Sequence, residues 1–389
     1  MPAPVERAQL LRFYAAVAVF STAFGIMSPA VPLYARLSLY ANDWELGILG
    51  AVMAIPYVIG SILFGRVSDR FGRKPLLAGG LILYFFVVWA YASTADIFLF
   101  GALRCLEGVA FSSIWPSAEA FVADRSGAGG LDRQVGYYSV AWSAGYTAGP
   151  FLMGAAISVG GLEYAFALAS LLVLFGLLTI LTIRMPRVAG ELEVDPVEAG
   201  AEMGAEAKAE VNVKKRRNGV SGIVYIMIIW GFAMLTFYFL LPPYAVSAGV
   251  AAPMAGYIVG SASGMRTLSF MLYERCLKRN SASLGMALLL VSTLLGWAFP
   301  SLFGFFAMAI LFGSALGLLY AYALARMLEL PSKGAGAGIF EAAIGFGQIL
   351  GPVTMGYVGY LFGSGATFLA LSVVAAASLP VALRISLRH

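Results

Sequence analysis

Long apolar blocks alternate with short polar turns along the whole chain. Each block is close to the ~20 residues that a helix needs to cross bilayer hydrocarbon about 30 Å thick. Twelve such blocks are predicted as helices, with approximate limits 11–34, 46–65, 76–95, 97–120, 134–159, 162–184, 220–244, 253–273, 283–301, 303–328, 336–362 and 365–386. The pattern therefore predicts an all-α integral membrane protein with twelve transmembrane helices.

One polar segment divides the twelve blocks into two sets of six. Residues 185–219 carry scattered acids and then the basic run 214–217, and no apolar face repeats there. Such a composition is typical of a flexible linker. The expected domains are a six-helix bundle over 1–184, a cytoplasmic linker over 185–219 and a second six-helix bundle over 220–389. A solvated tether is the simpler interpretation of the linker, with a regulatory role as the alternative.

Composition and charge agree with a membrane location. Of the 389 residues, 60% are hydrophobic and 12% are charged, about half the charged fraction of a soluble protein. Of the 25 Lys and Arg residues, Arg104 and Arg266 lie deep within blocks and Arg36 lies in an outer turn. The other 22 lie on one side if both termini are cytoplasmic, as the positive-inside rule requires. We therefore expect a multi-pass cell-membrane protein, and the net charge of +5 needs no nucleic-acid partner.

A charged turn over residues 65–74 joins blocks two and three. It resembles the signature loop between helices 2 and 3 of the major facilitator superfamily of secondary transporters, through Gly65, Asp69, Arg70, Gly72, Arg73 and Lys74. The resemblance implies that the Asp69 side chain meets the positive end of helix 11, near residues 334–338. It also implies that Arg73 pairs with Asp124 after helix 4. The alternative is a turn that only fixes orientation by its positive charge.

The two halves share a spacing of small residues. Helix 5 carries Gly145, Gly149, Pro150 and Gly154, and the same four residue types recur in helix 11 after 202 positions. The repeat predicts two pseudo-twofold-related six-helix bundles, as in major facilitator proteins. The helix-5 pattern also resembles the antiporter motif of drug-exporting members, with ordinary small-residue helix packing as the alternative. We expect this face to lie at the seam between the halves.

Helix 4 carries a charged pair within its apolar span. Arg104 and Glu107 are three residues apart and therefore share a helix face. The pair resembles the R-x-x-Q-G motif of the superfamily, with Glu107 in place of the glutamine. Intramembrane charges are rare unless they are paired or functional. The hypothesis is that Glu107 binds the coupled proton and that Arg104 tunes its proton affinity; a static structural pair is the alternative.

By family resemblance, helices 1, 4, 7 and 10 line a central cavity and helices 2, 5, 8 and 11 form the seam. Candidate substrate contacts on these helices are Phe24, Tyr34, Tyr57, Trp115, Tyr146, Trp230, Tyr238, Tyr320 and Gln348. Three further charged residues are expected to form an inner gate: Glu119, Arg266 and Glu341. Packing or an interfacial aromatic belt is the alternative for the aromatic residues, and local pairing is the alternative for the charged ones.

The function expected from these features is secondary active transport by alternating access. The resemblance favours a monomer that exports lipophilic or amphipathic small molecules in exchange for protons. The alternative within the superfamily is an uptake symporter or uniporter for a sugar or other metabolite. An enzyme would need a catalytic cluster, whereas the single histidine is the terminal His389. No cofactor or metal site is predicted.

Overall fold

The computed structural model describes residues 4–125, 131–185, 206–273, 280–328 and 333–386, and all regular structure within these ranges is helical. The prediction of twelve helices is confirmed. They are α1 Pro4–Leu37, α2 Asp43–Phe71, α3 Arg73–Ser93, α4 Ile97–Asp124, α5 Leu131–Gly160, α6 Leu162–Thr182, α7 Glu206–Ser247, α8 Ala252–Leu272, α9 Ser281–Ala298, α10 Leu302–Leu328, α11 Lys333–Phe362 and α12 Ser364–Ser386.

Nine of the described helices are long and apolar enough to cross a membrane. The other three, α5, α8 and α11, each contain seven to nine glycines, serines and threonines. Two of their main contacts are with helices of the opposite half, α5 with α8 and α11 with α2. Small residues let helix backbones approach closely in a membrane. These helices are therefore less apolar because protein, rather than lipid, covers much of their surface.

The two halves repeat the same packing scheme. In the first half α1 packs on α5 and α6, α3 on α4 and α6, and α2 on α4. In the second half α7 packs on α11 and α12, α9 on α10 and α12, and α8 on α10. Each contact therefore recurs six helices later. Each half also has its own aromatic core, including Phe20 and Tyr84 in the first and Phe237 and Phe312 in the second.

The start of α7 differs from the sequence prediction. The linker was expected to run to residue 219, but α7 begins at Glu206 and is 42 residues long. Alanines in this stretch favour helix even where no apolar face repeats. A segment without an apolar stripe can therefore still be helical. Of the predicted linker, residues 186–205 lie outside the described part.

Candidate functional site

The seam between the halves is tightest at its outer end, away from the charged turn. Gly47 of α2 lies so close to the Pro352 carbonyl of α11 that a Cβ would not fit there. At Gly356 an added Cβ would lie 2.5 Å from the Asp43 carbonyl oxygen. The Trp44 and Tyr357 rings meet edge to face, with centroids 5.3 Å apart. Helices α2 and α11 are therefore in backbone contact at this end.

Asp43 links polar groups from both halves at the same end. Its carboxylate pairs with Arg36 in the last turn of α1. The Ser364 hydroxyl, at the start of α12, donates to Asp43 Oδ2 at 2.6 Å. One carboxylate thus joins a cation of the first half to a hydroxyl of the second half, and this outer cluster is Arg36, Asp43 and Ser364.

The second line of seam contacts joins α5 to α8. A Cβ at Gly154 would lie 2.7 Å from the Pro253 carbonyl oxygen, and Gly256 packs just as closely on the Pro150 carbonyl. Further inward, the Ser143 and Thr267 hydroxyl oxygens are 2.6 Å apart. These contacts extend from the outer end to the middle of the molecule.

The predicted seam role of the helix-5 glycines is only partly correct. Gly145 packs on the Ala18 carbonyl and Gly149 on the Thr22 carbonyl, both on α1 in the same half. Only Gly154 and Pro150 reach the other half. The repeat in helix 11 behaves in the same way, because Gly347 and Gly351 pack on α7. A glycine-rich helix can pack against two neighbouring helices, and the spacing of its glycines does not show which glycine contacts which helix.

At the inner end, next to the charged turn, the halves separate. Glu119 on α4 and Glu341 on α11 are both exposed, yet they lie close enough for their charges to interact. Gly65 is part of the signature loop by resemblance, and no atom of the described residues lies within 4 Å of a Cβ added there. The described residues therefore show no close helix packing on Gly65 in this conformation. Two exposed acids from opposite halves therefore lie near each other at this end, and the accessible space beside them is called the inner cavity below.

The charged turn itself is held by a short network. Gly72 alone separates α2 from α3 and has φ of 96°, which only glycine adopts without strain. Arg73 Nε contacts Asp124 Oδ2 at 3.0 Å, so the pairing expected from the sequence is present. Arg73 Nη1 also donates to the Ser68 hydroxyl at 2.5 Å. The side chain of Asp69, with its expected contact to residues 334–338, lies outside the described part.

Two further cations of the turn, Arg70 and Lys74, have different surroundings. Lys74 Nζ donates to the carbonyl oxygens of Leu181 at 2.7 Å and Ile183 at 2.9 Å. It thereby satisfies acceptors at the end of α6, where a cation is also favoured by the helix dipole. Arg70 is exposed, with its guanidinium 5.6 Å from the Phe71 ring centre. Lys74 therefore joins α3 to α6, whereas Arg70 faces solvent.

The predicted pair on α4 is fully buried. Arg104 and Glu107 are each 3% exposed and form an ion pair. The Tyr91 hydroxyl donates to Glu107 Oε2 at 2.6 Å, and Arg104 Nε donates to the Leu49 carbonyl at 3.1 Å. The Arg104 guanidinium also lies 5.0 Å from the ring centre of Phe239 on α7. The pair is thus satisfied by its own half and touches the other.

Several predicted substrate contacts belong to packing within the first half. Phe24 is 2% exposed and meets the rings of Tyr84 and Phe111 at 4.7 and 4.6 Å. Tyr34 donates to the Thr94 carbonyl at 3.0 Å near the outer end. Neither residue borders the inner cavity, so the alternative interpretation as packing applies to both. Trp115 is half-buried, with its ring 6.4 Å from that of Trp142 on α5.

Other predicted contacts meet where the halves join. The rings of Tyr146 on α5 and Tyr238 on α7 are 6.5 Å apart. The guanidinium of Arg266, on α8, lies 5.7 Å from the first ring and 5.9 Å from the second. Arg266 forms no ion pair with Glu119 or Glu341, so the expected three-residue gate is not assembled in this structure. Instead, Arg266 is buried among aromatic rings.

The remaining candidates lie closer to the two exposed acids. Tyr57 on α2 and Tyr320 on α10 are both within range of the Glu119 and Glu341 charges. Trp230 donates from Nε1 to the Leu316 carbonyl at 2.8 Å and packs on the Tyr320 ring. The predicted contact Gln348 is half-buried on α11. Aromatic hydroxyls and carboxylates therefore face the inner cavity together.

Sequence reasoning missed three groups that the structure brings into these contacts. No sequence pattern singled out Asp43 or Ser364, although Asp43 follows Arg36 by seven positions. Tyr91 and Phe239 lay within apolar blocks, and no sequence pattern distinguishes their hydrogen bond and ring contact from ordinary packing. Trp142 was one of many aromatic residues on a seam helix.

Comparison with known proteins agrees with this architecture. The family model of the Major Facilitator Superfamily matches residues 13–279. Multidrug resistance protein 2 of Bacillus subtilis is 26% identical over 210 residues, 54% of this chain and 50% of that protein. Multidrug resistance protein 1 of the same organism is 30% identical over 162 residues, 42% and 41% of the two chains. The chain thus matches about half the length of these relatives or less.

A solved structure extends the likeness to nearly the whole chain. The nucleoside transporter NupG (D323A mutant) superposes with a TM-score of 0.79 at 13% identity, covering 97% of this chain and 99% of that one. At such low identity the likeness concerns the fold alone. With a family match over most of its length, this integral membrane protein belongs to the Major Facilitator Superfamily of transporters.

Proposed function

We propose that this protein exports lipophilic or amphipathic small molecules in exchange for protons, by alternating access in the cell membrane. The observation that carries the proposal is the one-sided packing of the halves. The outer cluster and the Gly47–Pro352 contact close one end, whereas Glu119 and Glu341 are exposed at the other. A pathway that is closed on one side and open on the other is what rocking of two bundles requires.

The names of the relatives support drug-like molecules as cargo. Both Bacillus proteins are multidrug resistance proteins. The half-buried residues beside the inner cavity fit such cargo, because the aromatic rings of Tyr57 and Tyr320 offer apolar faces with polar edges. Pockets that are mostly apolar, with a few polar groups, are typical of small-molecule sites.

Proton coupling is assigned in this proposal to Glu107. Its carboxylate is buried, accepts a hydrogen bond from Tyr91 and pairs with Arg104. A charged carboxylate forms an ion pair with the arginine, whereas a protonated one does not, so binding of a proton changes the interaction between the two side chains. The contact of Arg104 with Phe239 gives a route by which protonation would affect the other half. The proposal also includes cytoplasmic termini and a monomeric transporter.

The test is transport by the purified chain in liposomes with an imposed pH gradient. The cargo panel contains a permanently charged lipophilic cation, a neutral aromatic compound and a sugar, so that weak-base trapping does not mimic transport. We expect inside-acid vesicles to accumulate the amphipathic compounds, and a proton ionophore to abolish the accumulation. Protein-free vesicles are the control. Sugar uptake that ignores the pH gradient would instead favour the uniporter alternative.

A further inference from the structure

Arg266 is a buried cation without an acid. It is 4% exposed, and its Nε and Nη2 atoms have no hydrogen-bond partner among the described residues. The ion pairs found in the described part do not include it. A buried charge is costly unless it is paired and hydrogen-bonded, so this guanidinium has unused binding capacity.

Aromatic rings surround the guanidinium on several sides. Its Cζ lies 5.8 Å from the Trp142 ring centre, 5.7 Å from Tyr146 and 5.9 Å from Tyr238. Ring faces attract a cation, but they do not supply the oxygen acceptors that its N–H donors need. Trp142 and Tyr146 belong to the first half, whereas Tyr238 and Arg266 belong to the second. The group therefore lies at the junction of the halves, where a transported molecule would have to pass.

We propose that Arg266 binds an anionic group, a carboxylate or sulfonate, on an aromatic substrate whose ring packs against Trp142, Tyr146 and Tyr238. A guanidinium fork matches such groups with two parallel N–H···O bonds. The inference rests on the proposed function, because it names a substrate class for the same pathway. It also gives Arg266 a role different from the inner gate expected from the sequence.

The neighbouring hydroxyls leave the guanidinium available. The Tyr238 hydroxyl is engaged with the Ser263 hydroxyl at 2.9 Å, and Thr267 is engaged with Ser143 at 2.6 Å. The competing interpretation is that Arg266 awaits an acid of this chain, Glu119 or Glu341, in another conformation. In that case an added anion would gain nothing over its neutral analogue.

The test measures equilibrium binding to the purified full chain in detergent. The probes are naphthalene-1-sulfonate and the neutral naphthalene-1-sulfonamide, which share the ring system and differ in charge. We expect the sulfonate to bind about ten to a hundred times more tightly, the range expected for charge-assisted hydrogen bonds. Arg266→Gln should abolish the preference and Arg266→Lys should retain part of it. Arg384→Gln, which removes an exposed cation on α12, should leave it unchanged.

Equal affinity of the unaltered protein for both probes would overturn the inference. This comparison needs no variant, so it holds even if Arg266→Gln fails to fold. A preference for the sulfonate that persists in a folded Arg266→Gln variant would also overturn it, because the anion would then bind elsewhere. If transport proves independent of pH while the preference is present, the proposed proton coupling fails and the anion site stands.

Discussion

The guanidinium of Arg104 on α4 lies 5.0 Å from the ring centre of Phe239 on α7. Arg104 is also the ion-pair partner of Glu107. The buried pair of the first half therefore ends on an aromatic face of the second half. A cation over a desolvated ring gains about 0.5–2 kcal/mol, so the charge state of Glu107 affects how strongly Arg104 is drawn toward its own half.

Glu107→Gln tests whether this acid binds the coupled proton. The variant keeps the side-chain shape, and its amide oxygen still accepts from Arg104, but it cannot exchange a proton. We expect accumulation driven by the pH gradient to disappear while exchange of labelled for unlabelled substrate continues. The free energy of unfolding should fall by less than the about 3–5 kcal/mol typical of a broken buried pair.

The control is Glu163→Gln, which changes an exposed acid at the outer end of α6. It should leave both gradient-driven accumulation and exchange intact. Undiminished accumulation by Glu107→Gln in vesicles of the same protein content would make the Arg104–Glu107 pair structural and move proton coupling to another group. Glu119 and Glu341 would then be the first acids to examine.

Asp43→Asn should weaken closure of the outer end. The change removes the partner of Arg36 and turns the Ser364 contact into a bond with a neutral acceptor. The partly exposed ion pair contributes about 0–1 kcal/mol and the charge-assisted bond about 1.5–3 kcal/mol. A net loss near 1 kcal/mol would raise the outward-open fraction roughly fivefold.

The measurement is a pulsed EPR distance between labels at the exposed outer positions Ser38 and Ser301, in a background without Cys105 and Cys276. The longer-distance population should grow in Asp43→Asn. Asp96→Asn is the matched control, because Asp96 caps α4 within the first half, accepting from Leu99 N at 2.8 Å. An unchanged distance distribution in Asp43→Asn would show that the outer cluster does not hold the halves together.

The sequence was sufficient for the features that depend on local pattern. Block length and turn residues predicted all twelve helices, because the bilayer sets a minimum length for each span. The Arg73–Asp124 pair followed from a motif whose spacing fixes the turn, with Gly72 in the conformation that only glycine adopts easily. The repeat between α5 and α11 predicted two equivalent halves.

Features that depend on the relative position of the halves could not be predicted. No atom of the described residues lies within 4 Å of a Cβ added at Gly65, and a sequence carries no record of the conformation adopted. Arg266 was assigned to an ion network because acids occur on nearby helices. Its actual neighbours are rings from two other helices, α5 and α7, and no periodicity of one helix reveals such a junction.

Gly149→Ala should destabilise the first half. An added Cβ would lie 2.6 Å from the Gly25 backbone on α1, so the two helices would have to separate. Overpacking of this kind costs about 1–3 kcal/mol. Gly136→Ala is the control on the same helix, since nothing lies within 4 Å of its added Cβ. A thermal melt of both variants should show a lower midpoint only for Gly149→Ala, and equal midpoints would contradict the close packing of α1 on α5.

Gly65→Val should impair transport without lowering stability. In this conformation a side chain at Gly65 meets no atom within 4 Å, so the folded protein accommodates it. If alternating access brings the inner ends together, α2 must approach the other half at this level, and valine would obstruct that approach. We therefore expect an unchanged melting temperature, slower exchange and a larger inward-open population.

Gly79→Val on α3, whose added Cβ is equally free, should leave transport unchanged. The two positions differ chiefly in location, because Gly65 is on the seam helix α2 and Gly79 is on α3. Equal transport by the two variants would therefore mean that the inner ends do not close over Gly65.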